Sequence, residues 1–299
     1  MSANIFSFDL NVSLGALEIG IVLGVFLFGI ETLQTFNYYK RFPKDSNLLK
    51  GAVGVVWLLE LGHTISTLHA LYLQTVTFYG QPIHILSPPL SEEIPILLSG
   101  LIYTIVQTFF ANRVRVLSGQ WYTMALACVL GFFRFVGDVW IAALLLIYVR
   151  VTVLLEWRWL VTTSLSLDLS TDILITASLC SCLWNMRSCE SKRIRSMLDT
   201  LILWAIESTI LTSASSVIQI ILFMTRTDLI WAGVYVVQSK LFSNAMLASL
   251  NGRQRLRECT TANMSDIHFG STHPSRKADA VAISFEDARS LRSLDVERK

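Results

Sequence analysis

Residues 235–257, "YVVQSKLFSNAMLASLNGRQRLR", combine an apolar run of membrane-spanning length with an internal lysine and a basic end. Lys240 lies ten residues before the end of the apolar run, which is about 15 Å along a helix at a rise of about 1.5 Å per residue. A lysine side chain is too short to reach the interface across that distance. Asn244, Ala248 and Asn251 follow on the same helix face. We therefore expect Lys240 to face the interior of a helix bundle rather than lipid.

The composition is typical of a membrane protein. The chain is 53% hydrophobic and 15% charged, whereas an average soluble domain is roughly 25% charged. Seven apolar segments are long enough to span a bilayer, and each must be helical because backbone groups in hydrocarbon need partners within the segment. These segments are 14–37, 51–74, 94–115, 121–147, 159–185, 199–224 and 229–250. The sequence predicts an all-α fold, a seven-transmembrane helix bundle over 14–251, in the plasma membrane or an endomembrane.

The distribution of lysine and arginine predicts the orientation of the bundle. One side carries thirteen basic residues beside the spans and the other carries three, and the richer side is cytoplasmic by the positive-inside rule. The thirteen are Lys40, Arg41, Lys44, Lys50, Arg113, Arg115, Arg187, Lys192, Arg193, Arg195, Arg253, Arg255 and Arg257, and the three are Arg150, Arg158 and Arg226. The N-terminal segment 1–13 is then outside. Residues 252–299 are polar without periodicity, which predicts a disordered cytoplasmic tail.

Ionisable side chains at mid-depth come in pairs that share a helix face. The pairs are Glu60 with His63, Arg134 with Asp138, and Asp168 with Asp172. A charge at this depth costs about 2.5 to 3.5 kcal/mol, so a partner or a use is expected. Arg134 and Asp138 are expected to form a structural ion pair. Asp168 and Asp172 cannot neutralise each other, so either one is protonated or a cation or a basic side chain lies nearby.

Lys240 is expected to pair with Glu60, because a ring of seven helices brings the last span beside the first two. With Glu18, Glu31 and Glu207 at shallower depth, the interior holds seven acidic residues against two basic ones. This excess of acids means either that several carboxylates are neutral or that the interior accepts a cation, a proton or a basic ligand group. The alternative is that the acidic side chains only hold the helices together. The candidate residues for a ligand or ion cavity are Glu60, His63, Asp168, Asp172, Lys240 and Asn244.

Catalytic and cofactor chemistry finds little support in the sequence. Glu60 and His63 could supply two metal ligands, but zinc takes three or four, and His69 points about 200° away from His63 around the helix. Lys240 could hold retinal, but the third span has no carboxylate to serve as counter-ion. No nucleophile or phosphate-binding constellation stands out. We therefore expect no enzymatic activity, no metal and no cofactor.

Three motif blocks lie in the C-terminal part of the bundle, within residues 165–257. They are Thr171-Asp172-x-Leu174-Ile175, Leu211-Thr212-Ser213, and Lys240-Leu241-x-Ser243-Asn244 followed by Leu247, Leu250, Asn251 and Arg253. These blocks resemble a family of multi-pass membrane proteins from mushroom-forming fungi known as domain of unknown function 6534. The resemblance implies a multi-pass membrane protein and no particular activity, because the family has no assigned one.

Three functions remain open at this point. The layout is similar to that of G-protein-coupled receptors, which favours a receptor-like sensor with a polar cavity at mid-membrane, although the usual acidic-Arg-Tyr and Asn-Pro signatures are missing. A membrane scaffold with structural buried charges and a proton- or cation-coupled transporter are the alternatives. The expected partners are the lipid bilayer, a small-molecule ligand and a cytoplasmic protein for the tail, with no nucleic acid.

Overall fold

The fold is built from long helices. The computed structural model describes residues 10–79, 81, 90–119, 121–189, 192–226 and 228–267, and within these ranges the chain forms seven long helices and no strand. The helices are α1 (Leu10–Arg41), α2 (Asn47–Tyr72), α3 (Leu90–Ser118), α4 (Tyr122–Tyr148), α5 (Arg158–Cys189), α6 (Lys192–Thr225) and α7 (Ile230–Ile267). A π-helix, Leu73–Thr77, continues α2, and a one-turn helix, Val153–Glu156, precedes α5.

Helix ends fall where the sequence supplies a cap or a breaker. The Ser46 hydroxyl accepts a hydrogen bond from the Leu49 N–H at 3.4 Å and so caps α2. Gly119 ends α3 with a φ of 70°, and its N–H donates to the Arg115 carbonyl at 2.8 Å. Glycine suits this left-handed position because it has no Cβ.

The helices form a ring in chain order, with α3 reaching across the interior. Each helix packs against the next along the chain, α7 closes the ring against α1, and α3 also packs against α5 and α7. The crossing of α1 and α7 is close, because a Cβ on Gly20 would collide with the backbone of Gly233, and a Cβ on Gly233 with the Ala16 carbonyl. Small residues at such a crossing are typical of helix packing in membranes.

The outer surface of the bundle is apolar. Phe26, Phe36, Phe132 and Ile210 are between 61% and 66% exposed, which is unusual for a soluble protein. Five of the described segments are long and apolar enough to cross a bilayer: Val12–Arg41, Asn47–Thr77, Glu93–Ser118, Tyr122–Tyr148 and Arg158–Trp184. In α6 the structure gives a shorter apolar stretch, Thr209–Thr225. The chain is therefore an integral membrane protein.

The last helix is longer than the sequence predicts. α7 continues to Ile267, whereas we expect a disordered tail from residue 252 onward. Residues 252–267 include glutamine, leucine, arginine and glutamate, which favour helix, and contain no proline. A helix already anchored in the bundle extends readily through such residues, since its nucleation cost has been met. Residues 268–299 and 1–9 lie outside the described residues.

Candidate functional site

Buried polar side chains gather in two clusters inside the bundle. The Lys240 cluster consists of Lys240, Glu60, His63 and Thr64, and the Arg134 cluster consists of Arg134, Asp138, Asp168, Gln107 and Gln238. No member of either cluster is more than 6% exposed. A buried charge or amide is costly unless it finds partners, so the contacts within each cluster determine what it can do.

The Lys240 cluster joins α7 to α2. Lys240 forms an ion pair with Glu60, as the sequence predicts. The lysine Nζ also donates to the Glu60 backbone carbonyl at 3.1 Å and to Thr64 Oγ1 at 2.9 Å, and His63 Nδ1 lies 3.3 Å away. The ammonium is therefore surrounded by acceptors, which offsets part of the cost of burying it.

A second carboxylate and an amide lie beside this cluster. The fully buried Glu31 on α1 accepts a hydrogen bond from Ser243 Oγ at 2.9 Å. Asn244, one turn after Lys240, donates to the Leu27 carbonyl of α1 at 3.1 Å and to the Lys240 carbonyl at 2.7 Å. These contacts tie α7 to α1, and in the described structure Asn244 acts as a link between helices.

In the Arg134 cluster one guanidinium lies between two carboxylates. Arg134 Nη2 is 3.4 Å from Asp138 Oδ2 on the same helix, and Arg134 Nε is 3.3 Å from Asp168 Oδ1 on α5. The guanidinium also lies over the ring of Tyr103, 4.0 Å from its centroid, a cation–π contact that is favourable where water is excluded. The predicted Arg134–Asp138 ion pair is present, and Asp168 is a further partner.

Two glutamines complete this cluster, and sequence analysis missed both. Gln107 Nε2 on α3 donates to Asp168 Oδ1 at 2.9 Å, and Gln238 Nε2 on α7 donates to Asp168 Oδ2 at 3.1 Å and to Ser216 Oγ on α6 at 2.7 Å. The signal that could have identified them is an amide in the middle of an apolar span, because a buried amide needs a hydrogen-bond partner.

Asp172, one turn beyond Asp168 on α5, has a different environment. Its Oδ2 accepts a hydrogen bond from Thr212 Oγ1 on α6 at 2.7 Å. Among the described side chains no basic group pairs with it, since Arg134 is occupied by Asp138 and Asp168. Of the alternatives expected for this pair, namely protonation of one carboxyl group or a nearby cation or basic side chain, the structure shows a basic side chain, Arg134, beside Asp168.

A cavity of about 140 Å³ lies at the end of the bundle where α1 begins and α2 ends, which we name the N-terminal face. Its walls are mostly apolar and include Leu17, Ile21, Ile141, Leu145, Leu165 and Trp231. Its polar lining includes Arg134, Asp138, Ser164, Gln219 and Tyr235. The hydroxyl groups of Tyr235 and Ser99 are hydrogen-bonded to each other. The cavity therefore combines an apolar body with one polar side.

The cavity is lined by different residues from those proposed by sequence analysis. Among the residues that the structure describes, its lining contains Arg134 and Asp138, which we expected to be only a structural pair. It contains none of the six candidates, and of these Asp172 lines a second, smaller cavity. Glu60, His63 and Lys240 contact one another instead. The charged group nearest to a ligand in the larger cavity is thus the Arg134–Asp138 pair.

Comparison with known proteins gives one match. No curated protein and no solved structure matches the chain. Residues 168–255 match a family described as "Family of unknown function (DUF6534)". The matched region begins at Asp168 and includes Asp172, Gln238 and Lys240, so it contributes to both clusters. Over most of α5, all of α6 and the first part of α7, the chain is therefore similar to this family of unknown function.

Proposed function

We propose that the protein is a receptor-like sensor that binds a small, mostly apolar molecule in the cavity at the N-terminal face. The observation that carries this proposal is the cavity itself, which places apolar walls beside the charged Arg134–Asp138 pair. Sites for small molecules are typically concave and apolar, with a few well-placed polar groups that orient the ligand. The cavity at the N-terminal face has this composition.

The size and lining of the cavity limit the ligand. Its volume of about 140 Å³ is close to the roughly 150 Å³ of an engineered apolar cavity that binds benzene. A single ring or a short alkyl chain therefore fits. Ser164, Gln219 and Tyr235 offer hydrogen bonds to one polar group, and Arg134 attracts a carbonyl or carboxylate oxygen.

The Arg134 cluster supplies a route from the ligand to the rest of the bundle. Arg134 contacts Asp168 as well as Asp138, and Asp168 is hydrogen-bonded to Gln107 on α3 and Gln238 on α7. A ligand that changes the Arg134–Asp138 contact thereby acts on four helices. It produces a signal if it binds one arrangement of these helices more tightly than another.

Seven spans with the N-terminus outside complete the proposal. This topology is supported by the seven long helices and by the excess of basic residues, thirteen to three, on one side of the predicted spans. This orientation opens the cavity to the outer half of the membrane and leaves residues 252–267 of α7 available to a cytoplasmic partner. The match over residues 168–255, with the motif blocks, supports placing the whole chain in this family from mushroom-forming fungi.

A thermal-stability screen of the full chain in detergent tests the binding step. The probes are benzyl alcohol, benzoate, cyclohexanol and octanoate, each of which has a small apolar body and one polar group. At least one is expected to raise Tm saturably, because a ligand that binds only the folded state stabilises it. Ala232→Phe, which puts a ring into the cavity lining, should remove this rise. The control Ala177→Phe, at an exposed position on α5, should keep it.

The outcomes separate the proposed sensor from its alternatives. A rise in Tm that persists in Ala232→Phe would place binding outside the cavity and contradict the proposal. If no probe changes Tm, while the buried ion pairs still prove essential for folding, a scaffold with structural charges becomes the better explanation. Saturable binding accompanied by pH-dependent flux into liposomes would instead indicate a transporter.

A further inference from the structure

A second, smaller cavity lies between α3, α5, α6 and α7, next to the Arg134 cluster. It has a volume of about 30 Å³, which exceeds the roughly 10 to 15 Å³ needed by one water-sized particle. Its polar lining consists of Gln107, Asp172, Thr176, Thr209 and Thr212. The remaining lining is apolar and includes Phe110 and Phe242. One carboxylate, one amide and three hydroxyl groups thus surround a space of atomic size.

The hydroxyl groups are held in place around this space. Thr212 Oγ1 donates to Asp172 Oδ2 at 2.7 Å, and the hydroxyl oxygens of Thr176 and Thr209 lie 2.6 Å apart. A hydroxyl oxygen that donates one hydrogen bond still has lone pairs for another partner. The Thr176 and Thr212 hydroxyl oxygens therefore keep lone pairs with which to coordinate a cation.

Gln107 provides an independent sign of a missing ligand. Its side chain is 4% exposed, and its Nε2 donates to Asp168 Oδ1 at 2.9 Å, which fixes the orientation of the amide. The amide oxygen, Oε1, is fully buried and has no hydrogen-bond partner among the described residues. Buried amide oxygens without a partner are rare in folded proteins. This oxygen therefore lacks a partner, and Gln107 is one of the residues that line the small cavity.

The balance of charge favours a cation. Three carboxylates, those of Asp138, Asp168 and Asp172, lie in this part of the bundle, and Arg134 is the basic group that the structure describes beside them. Asp172 is only 9% exposed and accepts a hydrogen bond from the Thr212 hydroxyl group, and among the described residues Arg134 forms its ion pairs with Asp138 and Asp168 instead. A cation in the small cavity would compensate the charge of Asp172 where water cannot.

We infer that the small cavity binds a monovalent cation of the size of Na⁺. The Asp172 carboxylate is its charged ligand, and Gln107 Oε1 and the threonine hydroxyls are its neutral ligands. Oxygen donors suit hard cations, and a single carboxylate matches one positive charge. Calcium carries two positive charges and is usually bound by several carboxylates, whereas this cavity is lined by one. The inference concerns a different cavity from the ligand site and does not depend on the sensor proposal.

Thermal unfolding of the full chain in detergent tests the inference, with NaCl compared with choline chloride at constant ionic strength. Choline is too large for the cavity, so it controls for ionic strength. Na⁺ is expected to raise the wild-type Tm saturably, by about 3 to 6 °C when its concentration is ten times Kd. Asp172→Asn should remove this Na⁺-dependent rise. The control Asp228→Asn makes the same chemical change at the start of α7, where Asp228 pairs with Arg226, and should retain the rise.

Thr212→Val provides a second test that keeps the carboxylate. It removes the hydroxyl group that is hydrogen-bonded to Asp172 while conserving side-chain shape, so it stays informative if Asp172→Asn fails to fold. We expect it to increase the Na⁺ concentration needed for half of the rise at least about tenfold, which corresponds to a loss of about 1.4 kcal/mol in binding free energy. Equal wild-type Tm values in the two salts, or a Na⁺ effect unchanged in both variants, would overturn the inference.

Discussion

Lys240 on α7 and Glu60 on α2 form an ion pair in the interior of the bundle, although 180 residues separate them in the chain. Both side chains are at most 1% exposed. The pair therefore adds a polar contact between α7 and α2 to the packing of α7 against α1 that closes the ring. Removal of one partner leaves the other as an unpaired charge in a site that excludes water, which strongly lowers the free energy of unfolding.

Lys240→Met is expected to lower the free energy of unfolding by about 3 to 5 kcal/mol, since it leaves the Glu60 carboxylate buried without its counter-charge. The double variant Lys240→Met/Glu60→Leu should recover most of this loss, because both charges are then absent. Chemical or thermal unfolding of the purified chain in detergent measures both effects. Lys40→Met, at an exposed position at the end of α1, is the control. Equal stability of Lys240→Met and Lys40→Met would contradict the prediction.

Arg134→Lys should also destabilise the protein, by about 2 kcal/mol or more, although it conserves the charge. The guanidinium contacts both Asp138 and Asp168 and stacks on Tyr103, whereas an ammonium is a compact point charge that cannot reproduce this planar arrangement.

Arg150→Lys is the matched control for this substitution. Arg150 pairs with Glu156 at 3.2 Å, but the two side chains are 49% and 54% exposed, so the change should cost less than about 1 kcal/mol. Unfolding transitions of the two variants, measured side by side, give the comparison. If Arg134→Lys lowers the free energy of unfolding no more than Arg150→Lys does, the contacts of the Arg134 guanidinium do not stabilise the fold as we expect.

Gly20→Ala and Gly29→Ala are expected to have opposite effects, although both lie in α1. A Cβ at Gly20 would collide with the backbone of Gly233, whereas a Cβ at Gly29 meets nothing within 4 Å. The first change should push α1 and α7 apart and cost about 1 to 3 kcal/mol, and the second should add up to about 1 kcal/mol of stability through helix propensity. Thermal unfolding distinguishes them, and a shift of the same sign in both variants would refute the close crossing.

The proposed topology predicts where tags become accessible in intact cells. An epitope tag at the N-terminus should bind antibody without permeabilisation, and a tag at the C-terminus should bind only after it, since an odd number of spans separates the two ends. The excess of basic residues on one side is the physical basis of this expectation. Accessibility of both tags from the same side would mean an even number of spans.

The helices were predictable from the sequence because the bilayer imposes a simple rule on them. A segment that crosses hydrocarbon must be long, apolar and helical, and the predicted span 14–37 lies within the observed α1, Leu10–Arg41. The Lys240–Glu60 pair was predictable for a similar reason, because depth in the membrane and ring order restrict the possible partners of a buried charge.

The contacts of Asp168 were not predictable in the same way. Its bonds to Gln107 and Gln238 depend on how α3 and α7 are rotated about their own axes, and side-chain packing between helices decides this rotation. The position of the larger cavity depends on the same packing, which explains why Arg134 and Asp138 line it. The helix over residues 252–267 was not expected, because polarity alone does not distinguish a polar helix from a disordered segment.

The separation of Lys240 from Glu60 also has a consequence for biosynthesis. At a ribosomal rate of about 5 to 20 residues per second, the 180 residues between them take about 10 to 40 s to produce. During that interval the nascent second helix carries an acidic side chain whose partner does not yet exist. Until the last helix is inserted, the Glu60 carboxylate must be protonated, hydrated or shielded by the insertion machinery. Assembly of the bundle is therefore completed only after the last helix has been translated.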